Sequence, residues 1–116
     1  MTVDKSLLAG STTMLVLKLL DGQDMYGYQM IEELSRRSER AFALKTGTLY
    51  PLLHSLEGKG AHPLLWKKDE GAARPRRYYH LERKGQHLLR EKEVEWATFT
   101  TAVDRVLKGG VCLGSA

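Results

Sequence analysis

Cysteine, long apolar runs and internal repeats are scarce or absent in this chain of 116 residues. The single cysteine, Cys112, cannot form an intrachain disulfide, which fits a reducing compartment. We interpret it as an ordinary residue of the C-terminal tail and not as a nucleophile. No apolar run reaches the roughly 18 residues that would span a bilayer. The first residues lack the basic segment and cleavage pattern of a signal peptide. We therefore expect a cytoplasmic protein without a membrane segment.

Patterns that mark common enzyme sites are also missing. There is no HExxH or Cys/His spacing for a metal ion, no P-loop for a nucleotide and no G-x-S-x-G for a nucleophile. The histidines are scattered over different predicted elements, as expected for surface residues: His54, His62, His80 and His87. We expect no catalytic activity, no metal and no cofactor.

The charge balance is mildly basic. The net charge of +4 and the pI near 9.3 permit a polyanionic partner such as DNA without requiring one. The length predicts one domain. A domain of this size buries a core that gives little surplus stability, which favours a homodimer. The apolar periodicity predicts a mainly α-helical fold with one small β-hairpin.

The segment 44–60, LKTGTLYPLLHSLEGKG, carries the clearest helical pattern. Its leucines recur at i, i+3, i+4 and i+7 and would form one buried stripe: Leu49, Leu52, Leu53 and Leu56. At about 100° per residue, the opposite side and its flanks hold Gly47, Thr48, Tyr50, Pro51, His54, Ser55 and Gly58. This side is short, polar and free of acids before Glu57, which would suit a DNA groove. Alternatively, it is the solvent face of an ordinary core helix.

Two candidate caps precede this helix. Thr48 suits the N-cap better than Thr46, because it places Pro51 in the first turn, where a missing N–H does no harm. Gly58 and Gly60 would end the helix.

Two more helices are predicted upstream. The first runs from residue 5 to about 20, although residues 11–13 weaken its centre by competing for backbone hydrogen bonds. The second runs from residue 25 to about 37 with Asp24 as its N-cap. Gly27 lies in its apolar stripe, which predicts the close crossing of another helix. Together with segment 44–60, this helix forms a helix-turn-helix candidate.

Residues 64–68 and 76–81 predict the strands of a β-hairpin, joined by turn residues 69–75. Pro63 cannot donate to a strand ladder, so the first strand should start near Leu64. The hairpin is basic, with Lys67, Lys68, Arg74, Arg76 and Arg77 against Asp69 and Glu70 near its tip. After a helix-turn-helix, such a hairpin indicates a winged helix whose cations reach phosphates. Alternatively, the cations are solvated charges that guard an edge strand.

A long last helix is predicted over residues 83–108, ended by Gly109-Gly110. It carries an a/d seam with one polar break at Lys92: Leu89, Trp96, Phe99, Val103 and Val106. The seam is too long for a small core to cover, so we interpret this element as a dimerisation helix. Leu7 and Leu8 would join the seam in the dimer interface. The alternative is that it covers the first helix within one chain.

Two aromatic residues of this seam permit a second role. Trp96 and Phe99 lie on it, and Met14 could lie across from them. The simpler interpretation is that they form the core of the interface. The alternative is that Trp96 stacks on a planar aromatic effector near the dimer axis.

These elements divide the chain into three parts. Residues 1–82 would form a winged-helix DNA-binding domain, and residues 83–108 a dimerisation helix packed on it. Residues 109–116 would form a flexible tail.

The order of the elements and their motifs resembles the PadR family of transcriptional regulators. The matching motifs are Tyr26-Gly27-Tyr28, then Gly47-Thr48-Leu49-Tyr50-Pro51 with Leu56-Glu57 and Gly60, then Arg77-Tyr78-Tyr79-His80-Leu81 with Gly85. The resemblance covers about residues 7–107 and fits the smaller branch, which has a single C-terminal helix. Two departures are Glu82, where the family often has a threonine that caps the last helix, and residues 60–63, which replace branched apolar residues before the wing. A third is the acidic pair Asp69-Glu70 near the wing tip, which would weaken the attraction of phosphates there.

The resemblance implies a winged-helix homodimer that binds a palindromic operator, usually as a repressor. It implies that Thr48, Tyr50 and Pro51 stand at the DNA face and that wing arginines hold the backbone. Some relatives release DNA when a planar aromatic molecule binds between the last helices and the first.

We expect two copies of the third helix to enter major grooves about 34–36 Å apart. The predicted phosphate contacts are Lys45, Lys67, Lys68, Arg74, Arg76 and Arg77. The predicted contacts to base edges or adjoining phosphates are Thr48, Tyr50, His54 and Ser55. This second set has no Arg, Asn or Gln, so we expect modest direct readout and some specificity from DNA shape. The alternative function is a winged helix that binds another protein and has no DNA target.

Overall fold

The computed structural model describes residues 3–57, 65–70 and 76–109, which form five helices and three strands. The helices are α1 (Lys5–Ala9), α2 (Thr12–Leu19), α3 (Gly27–Arg37), α4 (Thr46–Glu57) and α5 (Arg83–Leu107). The strands are β1 (Met25–Tyr26), β2 (Leu65–Glu70) and β3 (Arg76–Leu81). The described chain is thus mainly helical with a small sheet, which confirms the predicted fold class.

The first predicted helix is interrupted near its middle. The carboxylate of Asp4 accepts a hydrogen bond from the N–H of Ser6 at 2.8 Å and caps α1. The hydroxyls of Ser11 and Thr12 both donate to the carbonyl of Leu8, at 3.1 and 3.0 Å. Side chains that bond to nearby carbonyls compete with the helical pattern. The prediction of one continuous helix over residues 5–20 is therefore wrong, because the chain breaks between α1 and α2.

Met25 and Tyr26 form a strand rather than the first turn of a helix. The N–H of Tyr26, at the N-cap position of α3, donates to Oε1 of Gln29 at 2.9 Å. The prediction that Asp24 caps this helix is wrong. Oδ1 of Asp24 instead lies 2.8 Å from Nδ1 of His80, so this side chain joins the segment before β1 to β3.

The sheet has the order β1-β3-β2, and both pairs of strands are antiparallel. The predicted hairpin is confirmed, and the described part of β2 begins at Leu65. Asp69 and Glu70 belong to β2, opposite Arg77 and Arg76 in the register, rather than to the turn. β1 was not predicted, because a strand of two residues leaves no periodic pattern.

A connector of eight residues, 38–45, joins α3 to α4. Glu39 and Arg40 have φ angles of 53° and 68°, in the left-handed region that residues other than glycine rarely adopt. The N–H of Arg40 donates to the carbonyl of Ser35 at 2.7 Å. Oγ of Ser38 accepts from the N–H of Phe42 at 3.0 Å. These hydrogen bonds fix the turn of the helix-turn-helix.

α4 begins two residues before its predicted cap, Thr48. The N–H groups of Thr48 and Leu49 both donate to the carbonyl of Lys45, at 3.0 and 2.9 Å. The prediction of Thr48 as N-cap is therefore wrong, and Pro51 lies inside the helix rather than in its first turn. Pro51 has no N–H for the carbonyl of Gly47, but Gly47 is exposed, so water can reach that carbonyl.

The core lies between α2, α3, α4, the sheet and the first turns of α5. The leucine stripe of α4 turns inward as predicted, with Leu52 half-buried and the other three leucines buried. The buried cluster consists of Val16, Leu17, Leu19, Leu20, Met25, Met30, Leu34, Leu44, Leu49, Leu53, Leu56, Tyr79, Leu81 and Leu89. Packing thus fixes one side of α4 and leaves the opposite side at the surface.

α5 begins at the predicted residue, although Glu82 at its N-cap position makes no capping hydrogen bond with its side chain to any described residue. Its 25 residues span about 37 Å at 1.5 Å per residue. The first turns pack on α2 through Leu89, which is buried, and the later turns leave the core. Gly109 follows with a φ of 63°, which confirms the predicted stop.

Some predictions fall on residues outside the described ranges. They concern the helix stop at Gly58 and Gly60, the segment 60–63, the wing-tip residue Arg74, and the tail 110–116 with Cys112.

Candidate nucleic-acid interface

The outer side of α4 is an exposed, uncharged surface. Of the predicted DNA contacts, Thr48, Pro51, His54 and Ser55 are exposed. Oγ of Ser55 donates to the backbone carbonyl three residues earlier at 2.7 Å, which leaves its lone pairs to accept from another donor. The one acid of α4, Glu57, is half-buried at its end. A polyanion can therefore approach this side of α4 without meeting an exposed carboxylate on the helix.

Tyr50 is half-buried against α3 rather than free at the surface. A Cβ built on Gly27 would lie 2.2 Å from Oη and 2.7 Å from Cζ of Tyr50. The glycine makes room for the outer end of this ring. The predicted reason was the close crossing of another helix, whereas the nearest atoms all belong to one tyrosine side chain of α4. Tyr50 therefore holds the two helices of the helix-turn-helix together, and only part of its side chain is open to a ligand.

β3 attaches the hairpin to the end of α4. Tyr79 is buried, and its hydroxyl is hydrogen-bonded to the carboxylate of Glu57. Burial raises the pKa of Tyr79 and the negative charge of Glu57 raises it further, so the hydroxyl stays protonated at neutral pH. The rings of Tyr26 and Tyr78 meet edge to face at 5.4 Å. The hairpin and the helix-turn-helix are thus parts of one packed unit.

The link between Glu57 and Tyr79 was not predicted. Both residues belong to motifs that resemble the PadR family, but they lie far apart in the sequence and no spacing pairs them. A signal did exist, because a carboxylate at the inner end of an uncharged helix needs a hydrogen-bond donor once it is buried.

The predicted phosphate contacts lie at the start of α4 and on the hairpin beside it. Lys45 is exposed directly before α4. Lys67 and Lys68 belong to β2, which packs beside α4, and Arg76 and Arg77 belong to β3. The side chain of Arg77 is exposed. The fold therefore places β2 beside α4 and β3 beside β2, and four of the six predicted cations belong to these two strands.

The predicted dimer seam divides into a buried and an exposed part. Leu8 and Leu89 are buried within this chain, so they offer no surface to a second copy, which corrects their predicted place in the seam. Lys92 and Val103 are half-buried. The start of α5 thus covers α2, in line with the alternative that the sequence left open.

The later turns of α5 carry an exposed apolar band. Trp96, Phe99 and Val106 are 43%, 57% and 77% exposed, and Leu107 extends the band although the sequence did not single it out. The rings of Trp96 and Phe99 lie 5.7 Å apart. Leu7 on α1 is exposed as well. Met14 is half-buried and packs against the core.

The described residues contain no group of three or more His, Cys, Asp or Glu side chains that could hold a metal ion. None of the described helices is both long enough and apolar enough to cross a membrane.

Comparison with known proteins identifies the family. The family described as "Transcriptional regulator PadR-like family" matches residues 16–91 of this chain. The chain belongs to the PadR-like family. It is therefore a DNA-binding regulator of transcription. The predicted resemblance to PadR proteins is confirmed.

Several proteins are similar to this chain in structure or in sequence. A PadR family transcriptional regulator from Eggerthella lenta is 32% identical, with a TM-score of 0.77 over 88% of this chain and 86% of that one. A transcriptional regulator from Clostridium thermocellum has a TM-score of 0.79 at 22% identity, over 86% of this chain and 96% of that one. A Lysinibacillus sphaericus protein called "Uncharacterized protein X" is 29% identical over 92% of this chain and 97% of its own length.

The PadR-like match ends at residue 91, close to the point where α5 leaves the core. It therefore includes the helix-turn-helix, the hairpin and the buried start of α5. The exposed band with Trp96 and Phe99 lies beyond it.

Proposed function

We propose that this PadR-like regulator represses transcription by binding a palindromic operator as a homodimer. Each copy inserts α4 into a major groove, and the hairpin cations contact the phosphates beside it. The observation that carries the proposal is the outer side of α4, which is exposed, polar and free of acids before its half-buried end. Packing of the hairpin against that end supports a single contact surface.

Base recognition would fall to a small set of side chains. Thr48, His54 and Ser55 are exposed on the outer side of α4 and can reach base edges or adjoining phosphates. Tyr50 would contribute only the edge of its ring that faces away from Gly27. Since α4 offers no Arg, Asn or Gln for bidentate base pairing, part of the specificity would come from DNA shape.

The homodimer would form through the apolar band of α5. Trp96, Phe99 and Val106 lie on one stripe of the helix, and the same stripe is buried nearer the core at Leu89. Leu7 on α1 supplies a second exposed apolar side chain. Pairing of two such bands would cover side chains that a single chain leaves in water, and this burial would drive association.

A planar aromatic effector is a further part of this proposal. The rings of Trp96 and Phe99 already lie together on α5, where a flat ligand could stack. Quenching of Trp96 fluorescence by planar aromatic compounds tests this role, after Trp66 has been replaced by phenylalanine. Adding Trp96→Ala leaves no tryptophan, so binding to that variant is followed through the emission of a fluorescent planar compound, and it should be lost if Trp96 forms the site. An unchanged ligand signal in that variant would exclude it.

DNA binding and pairing would give a role to the outer side of α4, the hairpin cations and the exposed band of α5, and none of these roles needs catalysis or a cofactor. We therefore propose a non-enzymatic regulator that acts in the cytoplasm.

The decisive experiment is a gel shift of the protein on the DNA upstream of its own gene, with random DNA as competitor, at about physiological salt. A discrete complex that survives the competitor supports sequence-specific binding, and footprinting then gives the half-site spacing. If competitor removes all binding to this and to genomic fragments, the operator proposal fails. Capture of a defined protein partner through α4 would then favour the alternative of a protein-interaction module.

A further inference from the structure

Four charged side chains join the end of α2 to the second and third turns of α5. Arg90 donates from Nη2 to Oδ2 of Asp21 at 3.1 Å and from Nη1 to Oε1 of Glu93 at 3.2 Å. Nζ of Lys18 lies 3.3 Å from Oε2 of Glu93 and 3.9 Å from Oδ2 of Asp21. Each side chain thus contacts two of opposite charge. We call these four residues the α2–α5 charge ring.

Two contacts of the ring cross between elements, and two run along the chain. Lys18–Asp21 and Arg90–Glu93 are spaced i,i+3 and hold their members in position. Arg90–Asp21 and Lys18–Glu93 are the crossing contacts. The hydrogen bonds from Arg90 and Lys18 lower the pKa of Glu93, so its carboxylate remains charged well below neutral pH.

Apolar contacts also hold α5 beside the ring. Leu89 is buried and Leu88 is half-buried in the core, but apolar burial is non-directional. The guanidinium of Arg90, in contrast, is a planar fork with fixed donor directions. Single exposed ion pairs add little to stability, so the effect expected of the ring is geometric.

A small change of angle at the ring would become large at the end of the helix. α5 runs for 17 more residues from Arg90 to Leu107, a length of about 26 Å. A tilt of about 10° at Arg90 would therefore move its end by about 4–5 Å. This is more than the roughly 3.4 Å between successive base pairs of DNA.

We propose that the α2–α5 charge ring sets the angle at which α5 leaves the DNA-binding domain, and thereby the half-site spacing that a dimer accepts. Arg90 is the central positioning residue, because it contacts both the turn after α2 and the next turn of α5. The part concerning spacing rests on the proposed operator-binding homodimer, whereas the angle is a property of one chain.

The angle is tested within a single chain. Spin labels at His54→Cys on α4 and Asp104→Cys on α5, in a Cys112→Ser background, report their distance by double electron–electron resonance. Dilution into unlabelled protein removes distances between copies. Asp21→Asn and Arg90→Gln should shift or broaden the distance distribution. Arg90→Lys keeps the charge but loses the fork, so it should give an intermediate change.

The matched control is Glu33→Gln. Glu33 pairs with Arg36 and Arg37 inside α3, so this variant loses the same charge as Asp21→Asn without touching α5. Its distance distribution should equal that of the unchanged protein. Circular dichroism melts identify folded variants, and Arg90→Lys serves as the test if the other two variants do not fold.

The spacing is tested with the footprinted operator and with copies whose half-sites are moved by one base pair in either direction. The unchanged protein and Glu33→Gln should prefer the natural spacing, whereas Asp21→Asn and Arg90→Gln should lose that preference several-fold. An unchanged distance distribution in the ring variants overturns the proposal at its first step. A changed distance distribution with an intact spacing preference overturns the second part of the proposal, which links the angle of α5 to the half-site spacing. If the unchanged protein binds no operator, the proposed function fails while the distance measurement still decides the role of the ring.

Discussion

Among single residues, Gly27 is the position where side-chain size has the clearest consequence. Alanine is favoured over glycine inside a helix by about 1 kcal/mol, but its Cβ would overlap the ring of Tyr50. We expect Gly27→Ala to lower the free energy of unfolding by about 1–3 kcal/mol, as measured by urea denaturation.

A control for this prediction stands on α4. Gly47 has open space around the position of a Cβ, so Gly47→Ala should leave stability unchanged or raise it by up to about 1 kcal/mol. Adding Tyr50→Ala to Gly27→Ala should remove much of the interaction between the two positions. Equal effects of the two glycine variants would contradict the close contact.

Glu33 is the residue whose titration should differ most plainly from that of a free side chain. Hydrogen bonds from Arg36 and then Arg37 lower the pKa of Glu33 to about 2. Because the folded pKa lies below the ordinary value of 4.5, these bonds stabilise the fold above pH 4.5. Their contribution is lost as the pH falls through about 2. Carbon-detected NMR should show this midpoint, and Arg36→Ala should raise it.

The matched variant for that titration is Arg40→Ala, which removes a cation from the following turn and should leave the Glu33 midpoint in place. A midpoint near 4.5 in the unchanged protein would show that the arginine contacts do not persist in solution.

Arg77 tests the phosphate role of the hairpin. If it contacts one phosphate, Arg77→Ala should weaken binding to all DNA sequences and lower the slope of log affinity against log salt by about one unit. Arg105→Ala removes the same charge from the far part of α5 and should leave the slope unchanged. Titrations at several salt concentrations measure both slopes, and equal slopes for all three proteins would exclude the phosphate contact.

At the scale of elements, the long periodic segments could be predicted from sequence, and the short ones could not. The leucines of α4 and the start of α5 follow helical spacing. A helix with this spacing has one apolar side, and that side packs against the core. β1 has two residues and forms only because β3 lies beside it. The break after α1 depends on hydroxyls that bond back to Leu8. Local hydrogen bonds of this kind outweigh a weak apolar pattern.

Sequence prediction meets the same limit at the candidate nucleic-acid interface. Its exposed residues could be predicted from the side of α4 opposite the leucines. The sequence did not show that Tyr50 is held against Gly27, which limits its access to DNA. The contact between Glu57 and Tyr79 depends on where the chain returns after the hairpin, and only the folded structure contains that information.

Pro51 gives a prediction for α4 as an element. A proline inside a helix removes one backbone hydrogen bond, but it also restricts the unfolded chain. We expect Pro51→Ala to raise the free energy of unfolding by about 1–2 kcal/mol and, under the proposed function, to weaken operator binding. His54→Ala changes the same exposed side without restoring a backbone bond and should not stabilise. A loss of stability in Pro51→Ala would show that α4 relies on the proline.

At the scale of the whole molecule, α5 gives the chain its length. The principal extents are 64, 34 and 21 Å, and the radius of gyration is 17.0 Å. A compact chain of this size would have a radius of gyration of about 13–14 Å. The excess matches a helix that begins in the core and continues beyond it.

The exposed band predicts concentration-dependent pairing. Phe99→Glu should place a charge in the proposed interface and shift the protein toward monomer by at least tenfold in dissociation constant. Val94→Glu is the matched control, because Val94 is 69% exposed and lies about 140° around the helix from Phe99. Light scattering after size exclusion separates the outcomes, and similar shifts in both variants would argue against this band as the interface.

The outer turns of α5 also bear on the lifetime of a lone copy. Residues 96–107 are mostly exposed, and a free helix of about 12 residues is only marginally stable in water. An unpaired copy should therefore open there first and offer its apolar side chains to proteases, which cleave transiently opened segments. Under the proposed homodimer, degradation would then act mainly on unpaired copies, so each new chain would survive by finding a partner.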